Sequence, residues 1–389
     1  MSQQLISRSP DLKRLRDDGF DIEIRANYLL MNVPYVNSAK EIKRGILVSE
    51  LTLAGDVTAA PSTHVVDFAG EHPCDADGSE IAKIKHQSIQ KQLDKDLAVQ
   101  HSFSSKPPGG YKDYYDKMAT YAAIISSPAH AIDPSVRAQT FPVIEADEVE
   151  SPFNYFDTAS SRADINMATR KLELRKVAIV GIGGTGSYVL DLVAKTPVRE
   201  IHLFDGDDFL LHNAFRSPGA PSIEELRKAP KKVAHFKELY SKMHRGIVAH
   251  PYYVDGGNVE QLREMDFVFL CGGAKNLIVE KLEAFGTPFV DVGMGIYMAD
   301  DSLGGILRVT TSTPAQREHV RAKNRIPFST GDGKNDYDRN IQIADLNALN
   351  AALAVIKWKK IFGFYLDLGR EHHTTYTIDG NMLINEDKP

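Results

Sequence analysis

The chain has 389 residues, of which 42% are hydrophobic and 25% are charged, and its formal net charge is -6. These values are typical of a folded protein, and the length is sufficient for two or more domains with sizeable cores. Because a nucleic-acid backbone requires a basic protein surface, the negative balance argues against a general nucleic-acid binder.

Cysteine usage and the N-terminal sequence indicate the cellular setting. The chain has two cysteines, Cys74 and Cys271, which excludes a disulfide framework and favours a reducing compartment. The first residues, MSQQLISRSPDLKRL, are polar and charged, unlike a secretory signal. No apolar run has the length of a membrane span. We therefore expect a cytoplasmic protein without membrane contact.

Residues 1–150 are predicted to form a smaller α+β module. Strands are expected at 28–32, 46–53 and 64–68, a charged helix at 81–97 and an apolar helix at 115–125. The order of these elements is similar to ubiquitin-conjugating folds, although no sequence motif carries that similarity. The sequence leaves the role of this module open.

Residues 151–389 are predicted to be α/β, with a nucleotide-binding unit near the start. Residues 177–180 are an apolar, β-branched run typical of a buried parallel strand, and residues 187–195 have helical spacing. The turn between them contains Gly181, Gly183, Gly184 and Gly186. Glycines in this position let a phosphate approach both the backbone and the N-terminus of the helix.

A second strand is predicted at 201–204 and is followed by Asp205. An acid at the end of this strand is placed to accept hydrogen bonds from ribose hydroxyls. A glycine-rich turn alone is also compatible with a structural tight turn, but the order strand, helix, strand, acid favours a nucleotide site. An NAD-dependent dehydrogenase needs nothing more, yet this chain continues with Asp207, Asn213 and Arg216.

The segment DGDDFLLHNAFR, residues 205–216, resembles the ThiF/MoeB family of ubiquitin-activating-like adenylyltransferases. In that family the second strand ends in Asp-x-Asp and is followed by Asn-Leu-x-Arg. The resemblance implies that Asp205 holds the ATP ribose, that Asp207 belongs to the nucleotide-binding set, and that Asn213 and Arg216 reach the phosphates. It covers about residues 157–370 and implies a Rossmann-like adenylation domain with a mainly parallel sheet.

The resemblance implies two further cations at the phosphates. A family lysine from the next helix is matched best by Lys232 in PKKVAHF, with Lys231 as a close rival. A family arginine upstream of the first strand, often from the partner subunit of a homodimer, is matched by Arg162. The alternative for this segment is a helix start with Ser160 or Ser161 as N-cap. Cations aimed at departing pyrophosphate stabilise the charge that develops there.

The chain departs from the family at the magnesium site. Family members carry an Asp after the strand that is predicted here at 266–271, and this Asp helps to bind the Mg2+ of ATP. The present sequence is CGGAKN at 271–276, with no acid. Asp291, in the next predicted strand at 289–295, is the remaining candidate metal ligand. The alternative for Asp291 is a structural acid at a strand end.

A second departure concerns the cysteine that accepts the activated acyl group in many family members. No cysteine follows Cys271, so a thioester step within the adenylation domain is not expected. Cys271 ends an apolar strand, where cysteine usually behaves as a small buried hydrophobe. Cys74 lies in a turn-like segment with His72 nearby, a setting that lowers a thiol pKa and exposes the sulfur. The alternative is an incidental loop cysteine.

Two C-terminal segments complete the sequence pattern. Residues 310–338 are rich in Pro, Gly and charge and predict a mobile crossover loop, whose family counterpart closes over the acyl donor. Residues 344–367 predict a strongly apolar helix, suited to the core or to a dimer interface.

The resemblance implies ATP- and Mg2+-dependent adenylation of the C-terminal carboxylate of a ubiquitin-like or sulfur-carrier-like protein by a homodimer. Positioning by the glycine turn and charge neutralisation by Arg216, Lys232 and Arg162 would supply most of the rate. Two alternatives remain. A catalytically weak nucleotide-binding scaffold explains the missing acid and cysteine, whereas an NAD-dependent oxidoreductase leaves Asn213 and Arg216 unexplained.

Overall fold

A computed structural model of the chain describes residues 2–146, 151–272, 275–328 and 341–388. The chain divides into two compact units, Met1–Ile144 and Glu145–Pro389. Within the described residues, none of the helices has the length and apolar character that crossing a bilayer requires.

Within the part that the structure describes, the first unit has three α-helices and eight strands. In chain order they are α1 (Ser2–Arg8), α2 (Pro10–Asp17), β1 (Ile22–Arg25), β2 (Tyr28–Val36), β3 (Ile42–Glu50), β4 (Leu53–Ala54), β5 (Val57–Thr58), β6 (Val65–Ala69), β7 (Lys85–Asp94), β8 (Leu97–Ser104) and α3 (Tyr114–Ile132). Six strands form an antiparallel sheet in the order β1-β2-β3-β6-β8-β7, and β4 pairs with β5. The predicted strands at 28–32 and 64–68 are both present, as parts of β2 and β6.

Helix α3 contacts β2 and supplies much of the core of the first unit. Its buried residues recur at helical spacing, Tyr114, Met118, Tyr121, Ala122 and Ile125, because a helix must turn one apolar stripe toward the sheet. The Asp113 side chain caps the helix by accepting from the Asp116 backbone N–H at 2.8 Å. The predicted apolar helix at 115–125 is confirmed and is longer than expected.

The predicted charged helix at 81–97 is wrong. Residues 85–94 form β7, which pairs antiparallel with β8. The Lys- and Gln-rich sequence of β7 has helix propensity, but its side chains are mostly exposed and carry no apolar stripe. Pairing with β8, whose Leu97 and Val99 are buried, satisfies the backbone groups on one side of β7, which is an edge strand, and overrides local propensity.

Cys74, predicted to be exposed with a lowered thiol pKa, is fully buried. Its thiol donates to the His72 carbonyl oxygen at 3.3 Å, and burial raises the pKa of the thiol. A buried, protonated thiol is a poor nucleophile. The structure therefore gives no support to Cys74 as an acyl acceptor.

The second unit contains nine α-helices and eight strands within its described residues. In chain order they are α4 (Thr158–Arg162), α5 (Asn166–Thr169), β9 (Lys176–Val180), α6 (Gly184–Val193), β10 (Glu200–Phe204), α7 (Leu211–Ala214), α8 (Ile223–Lys228), α9 (Lys232–Tyr240), β11 (Ile247–His250), β12 (Phe267–Leu270), α10 (Lys275–Phe285), β13 (Phe289–Ala299), β14 (Ser302–Ser312), α11 (Glu318–Ala322), α12 (Ala344–Ile361), β15 (His373–Thr377) and β16 (Met382–Glu386).

These eight strands form one mixed sheet in the order β11-β10-β9-β12-β13-β14-β15-β16. In this sheet order, the first five strands, β11, β10, β9, β12 and β13, are parallel to one another. The remaining strands, β14, β15 and β16, each pair antiparallel with the strand before them. The predicted Rossmann-like α/β fold is confirmed. Since the carboxyl ends of β9, β10 and β12 lie at one sheet edge, the segments that follow them converge there.

The apolar helix predicted from residue 344 is confirmed as α12. Its buried residues Ala351, Ala354, Val355 and Trp358 belong to the same core cluster as Val189, Leu190 and Val193 of α6. This packing agrees with the core alternative for the helix.

The predicted crossover loop at 310–338 is only partly irregular. Residues 310–312 complete β14, where Thr310 and Thr311 pair with β13, and residues 318–322 form α11. β-Branched threonines suit a paired strand. Residues 329–340 of the predicted loop lie outside the described residues.

Candidate nucleotide-binding site

The glycine turn joins β9 to α6 through close backbone contacts. Gly181 has φ +88°, a conformation that favours glycine, and helix α6 begins at Gly184 rather than at the predicted residue 187. A Cβ on Gly186 would lie 1.9 Å from the Gly181 carbonyl oxygen. By contrast, a Cβ on Gly183 would meet no heavy atom within 4 Å. Gly183 therefore has no packing reason to be glycine, whereas Gly186 has a strong one.

This contrast predicts different outcomes for two alanine variants. Gly186→Ala should destabilise the second unit, because the new methyl group collides with backbone. Gly183→Ala should leave the melting temperature nearly unchanged but weaken ATP binding, since its methyl group would occupy the space a phosphate approaches. Thermal melting and ATP titration of both variants test this. Unchanged ATP affinity in folded Gly183→Ala would place the phosphates elsewhere.

Asp205 follows β10 directly and is 5% exposed. Its Oδ2 accepts from the Ile182 backbone N–H at 2.8 Å, and its Oδ1 accepts from the Asp207 N–H at 2.9 Å. These two hydrogen bonds of Asp205 therefore connect the glycine turn to the end of β10. A carboxylate has about four acceptor positions, so two backbone bonds leave capacity for a further donor.

Asp207, Lys232 and Tyr253 form a polar cluster beside Asp205. The Lys232 ammonium donates to Asp207 Oδ2 at 2.5 Å and lies 3.7 Å from Asp205 Oδ1. The Tyr253 hydroxyl donates to the other Asp207 oxygen. The hydrogen bond from Lys232 lowers the pKa of Asp207, and Asp207 in turn raises the pKa of Tyr253 to about 12. Sequence reasoning missed Tyr253, since nothing links residue 253 to this strand end before the fold is known.

The two rival lysines have different surroundings. Lys232 is 6% exposed and lies between the two acids. Lys231 is exposed, donates to the Gly206 carbonyl oxygen at 2.9 Å and pairs with Asp208 at 2.9 Å. The geometry thus favours Lys232 as the lysine of this site.

Asn213 and Arg216 lie on the segment that follows the acids. The Asn213 Oδ1 accepts from the Leu210 N–H at 2.8 Å, so this side chain caps α7. The Arg216 Nε is buried and has no hydrogen-bond partner among the described residues. Burial lowers the pKa of Arg216, and the Asp207 charge opposes that shift. An unsatisfied buried N–H is costly, and a bound anion would satisfy it.

Asn347 of α12 is a further site residue that sequence reasoning missed. It is fully buried, its Oδ1 accepts from the Thr185 hydroxyl at 2.8 Å, and its Nδ2 lies 3.3 Å from the Arg216 carbonyl oxygen. Asn347 therefore links the start of α6 to the backbone of Arg216. The available signal was the pair Asn347 and Asn350, which are the polar residues of the otherwise apolar stretch 346–356.

Asp291, the predicted metal ligand, is fully buried between two cations. Its Oδ1 lies 2.8 Å from Lys275 Nζ, and its Oδ2 lies 2.7 Å from an Arg308 Nη. Each oxygen is in an ion pair but accepts no hydrogen bond among the described residues. No group of three or more His, Cys, Asp or Glu suited to a metal occurs in the described residues either. These contacts disfavour Asp291 as a ligand of Mg2+. Gly273, where the family acid would stand, lies outside the described residues.

Cys271 and Arg162 take positions that limit their predicted roles. Burial raises the pKa of the Cys271 thiol, as expected for an inert strand-end cysteine. Arg162 is exposed and ends α4, whose N-cap is Asp157, accepting from the Ser160 N–H at 3.0 Å. The predicted N-cap at Ser160 or Ser161 is wrong, because the helix begins earlier. The phosphate contact of Arg162 stays a prediction.

Solved structures similar to this chain include E. coli MccB with ATP, at 18% identity and a TM-score of 0.41 over 58% of this chain and 67% of MccB. The microcin C7 biosynthetic enzyme MccB in complex with N-formylated MccA has 17% identity and a TM-score of 0.44 over 59% of this chain and 68% of MccB. PaaA has 17% identity and a TM-score of 0.44 over 59% of this chain and 80% of PaaA.

Two family models match the chain. Residues 10–158 match a domain of unknown function, DUF6791, and residues 159–296 match the ThiF family. No curated protein sequence matches. The ThiF match spans the glycine turn, Asp205 and Arg216, so the second unit of this chain is similar to the ThiF family over these residues.

Proposed function

We propose that the second unit binds ATP at the glycine turn and uses it to adenylate the C-terminal carboxylate of a ubiquitin-like or sulfur-carrier-like protein. The observation that carries this proposal is Arg216, whose buried Nε is without a partner among the described residues. Asn347 links the Arg216 backbone to the glycine turn. A cation held in this way beside the turn suits phosphate binding, for which guanidinium geometry is well matched.

In the proposed reaction, a carboxylate oxygen of the donor attacks the α-phosphorus of ATP. A bond forms between these two atoms, the bond to the bridging oxygen of pyrophosphate breaks, and an acyl adenylate and pyrophosphate result. The protein contributes position through the glycine turn, and charge through Arg216, Lys232 and Arg162. Mg2+ carried on the phosphates would neutralise part of their charge.

Lys232 must exchange partners to contact a phosphate, because Asp207 and Asp205 hold it in the structure. Such an exchange would leave Asp207 with Tyr253 and with any new donor from the nucleotide. We therefore assign Asp205, Asp207 and Asn213 to nucleotide binding and to the local fold, and Lys232 to the phosphates.

A second candidate function is a nucleotide-binding scaffold of a ubiquitin-like pathway with little catalysis. The engagement of Asp291 by Lys275 and Arg308 favours it, since the described residues present no carboxylate set for a metal. An NAD-dependent oxidoreductase is the weaker alternative, because it assigns no task to Arg216, whose Nε is buried.

We also propose that the protein acts as a cytoplasmic homodimer, and that Arg162 reaches the phosphates from the partner subunit. A ubiquitin-conjugating-like first unit would have no reactive cysteine, because Cys74 is buried and the pKa of its thiol is raised. A role in holding the acyl donor, without a thioester, is compatible with that burial.

Exchange of labelled pyrophosphate into ATP tests the proposed function. The full chain should catalyse exchange with a ubiquitin-like protein whose C-terminus is free, and not with the same protein carrying a C-terminal amide. Calorimetric titration should show ATP binding and no NAD binding. ATP binding without exchange for any donor would favour the scaffold, whereas NAD binding without ATP binding would refute the adenylation proposal.

A further inference from the structure

Lys275, Asp291 and Arg308 form a compact ionic cluster outside the residues that the family pattern assigns to ATP. Lys275 Nζ lies 2.8 Å from Asp291 Oδ1 and donates to the Val292 carbonyl oxygen at 3.1 Å. An Arg308 Nη lies 2.7 Å from Asp291 Oδ2, and the guanidinium also donates to the Thr310 hydroxyl at 3.1 Å and to the Arg325 carbonyl oxygen at 2.6 Å.

Sheet register places this cluster beside the nucleotide turn. Val180, the last residue of β9, pairs with Leu270 of β12, and Leu270 pairs with Asp291 of β13. Asp291 is therefore two strand spacings from Val180, which is roughly 10 Å. The segments that follow β9 and β12 also pack closely, because a Cβ on Gly181 would lie 3.0 Å from the Gly272 nitrogen. The cluster and the glycine turn share one edge of the sheet.

The cluster carries more positive than negative charge. Its single carboxylate is fully buried, while the Lys275 and Arg308 side chains are 20% and 15% exposed. Two cations against one anion leave an excess of one positive charge. Of the nearby groups, His373 adds no further cation, because burial and the neighbouring arginines lower its pKa to about 4, and Cys271 adds no anion, because burial raises the pKa of its thiol.

Both cations retain donor capacity. An ammonium group has three N–H donors and a guanidinium has five, whereas the hydrogen bonds above use one donor of Lys275 and two of Arg308, and the ion pairs with Asp291 add no hydrogen bond. Lys275 is also the first residue of α10, where the helix dipole disfavours a cation and favours an anion. The ion pair with Asp291 holds the Lys275 ammonium at the N-terminus of α10. The ammonium therefore lies at a helix end that attracts anions.

We propose that Lys275 and Arg308, positioned by Asp291, form an oxyanion site that receives a phosphate oxygen of ATP or the carboxylate of the acyl donor. The site rests on the proposed adenylation function. It supplies, from side chains, charge neutralisation that a metal ligand at this sheet edge would otherwise help to provide. Asp291 is a positioning residue in this arrangement and touches no substrate.

Binding measurements test the site without requiring turnover. One probe is ATP in EDTA, where no metal can shield the phosphates, and the other is a donor-tail peptide with a free C-terminus, compared with its amide. The full-length wild type should bind at least one probe, and Lys275→Gln should bind that probe about tenfold more weakly. A loss confined to ATP identifies a phosphate oxygen, and a loss confined to the free-acid peptide identifies the donor carboxylate.

Three comparisons keep the result specific. Lys275→Arg should retain most of the affinity. Lys281→Gln should bind as the wild type does, because Lys281 is a partly exposed lysine of the same helix that pairs with Glu260 at 3.2 Å. Asp291→Asn removes a negative charge but releases both cations, so weaker binding supports a positioned site and tighter binding indicates long-range charge alone. This variant also decides the matter if Lys275→Gln fails to fold.

The outcomes separate this inference from the proposed function. Wild-type binding of metal-free ATP that depends on Lys275 supports the site even if pyrophosphate exchange is never observed. Equal binding of both probes by wild type and by folded Lys275→Gln overturns the site while leaving adenylation intact. Failure of the wild type to bind either probe overturns it as well.

Discussion

Replacing Arg216 with alanine is expected to slow pyrophosphate exchange by about 100- to 1,000-fold, the usual cost of losing a donor aimed at developing charge. ATP binding should weaken by no more than about tenfold, because negative charge on the phosphates is greatest in the transition state and a cation there acts differentially. Exchange rates and calorimetric ATP affinities of the same variant measure the two effects separately.

The matched control for this variant is Arg227→Ala. Arg227 is an exposed arginine of α8 whose ion pair with Glu224 spans 4.0 Å, so its loss should leave both exchange and ATP binding unchanged. Equal losses of exchange and affinity in Arg216→Ala would assign Arg216 to ground-state binding alone. An Arg216→Ala protein that exchanges at the wild-type rate would contradict its catalytic assignment.

Replacing Asp205 with alanine is expected to weaken ATP binding by about 1 to 3 kcal/mol and to lower the melting temperature of the second unit. Two backbone N–H groups, of Ile182 and Asp207, lose their acceptor in this variant. The glycine turn is then no longer fastened to the end of β10. Thermal melting and ATP titration measure the structural and the binding effects.

A nucleotide without ribose hydroxyls separates those two effects. If Asp205 also accepts from the ribose, the wild type should bind dideoxy-ATP more weakly than ATP, and Asp205→Ala should bind both nucleotides alike. Asp208→Ala serves as the control, since Asp208 is half-exposed and pairs with Lys231 on the surface. Undiminished discrimination in Asp205→Ala would leave the acid with its structural role only.

Several features of the second unit could be predicted because their signals are local. The apolar runs of β9 and β12 are buried on both faces of a parallel sheet and therefore lack alternation. The glycine turn follows from the need for positive φ at Gly181 and for close packing at Gly186. Such requirements act within a few residues of the chain, so a single sequence records them.

Other predictions failed because the deciding contacts are distant in sequence. The strand β7 is established by its pairing with β8, against the helix propensity of its Lys and Gln residues. Cys74 forms isolated backbone β-bridges with Val36 and Glu80, and these pairings, which no turn motif predicts, bury it. In both cases tertiary packing outweighed a weak local preference.

The sequence by itself determined that a glycine turn, a strand-end acid pair and an Asn/Arg segment occur in one unit, because chain proximity alone brings them together. Only the tertiary structure decided what surrounds them. Asn347 reaches the turn from α12, and Lys275 and Arg308 converge on Asp291 from a helix and a strand. Strand order brings these residues together, since a sheet places residues that are far apart in the chain side by side. A buried carboxylate such as Asp291 then requires paired cations, which the neighbouring elements supply.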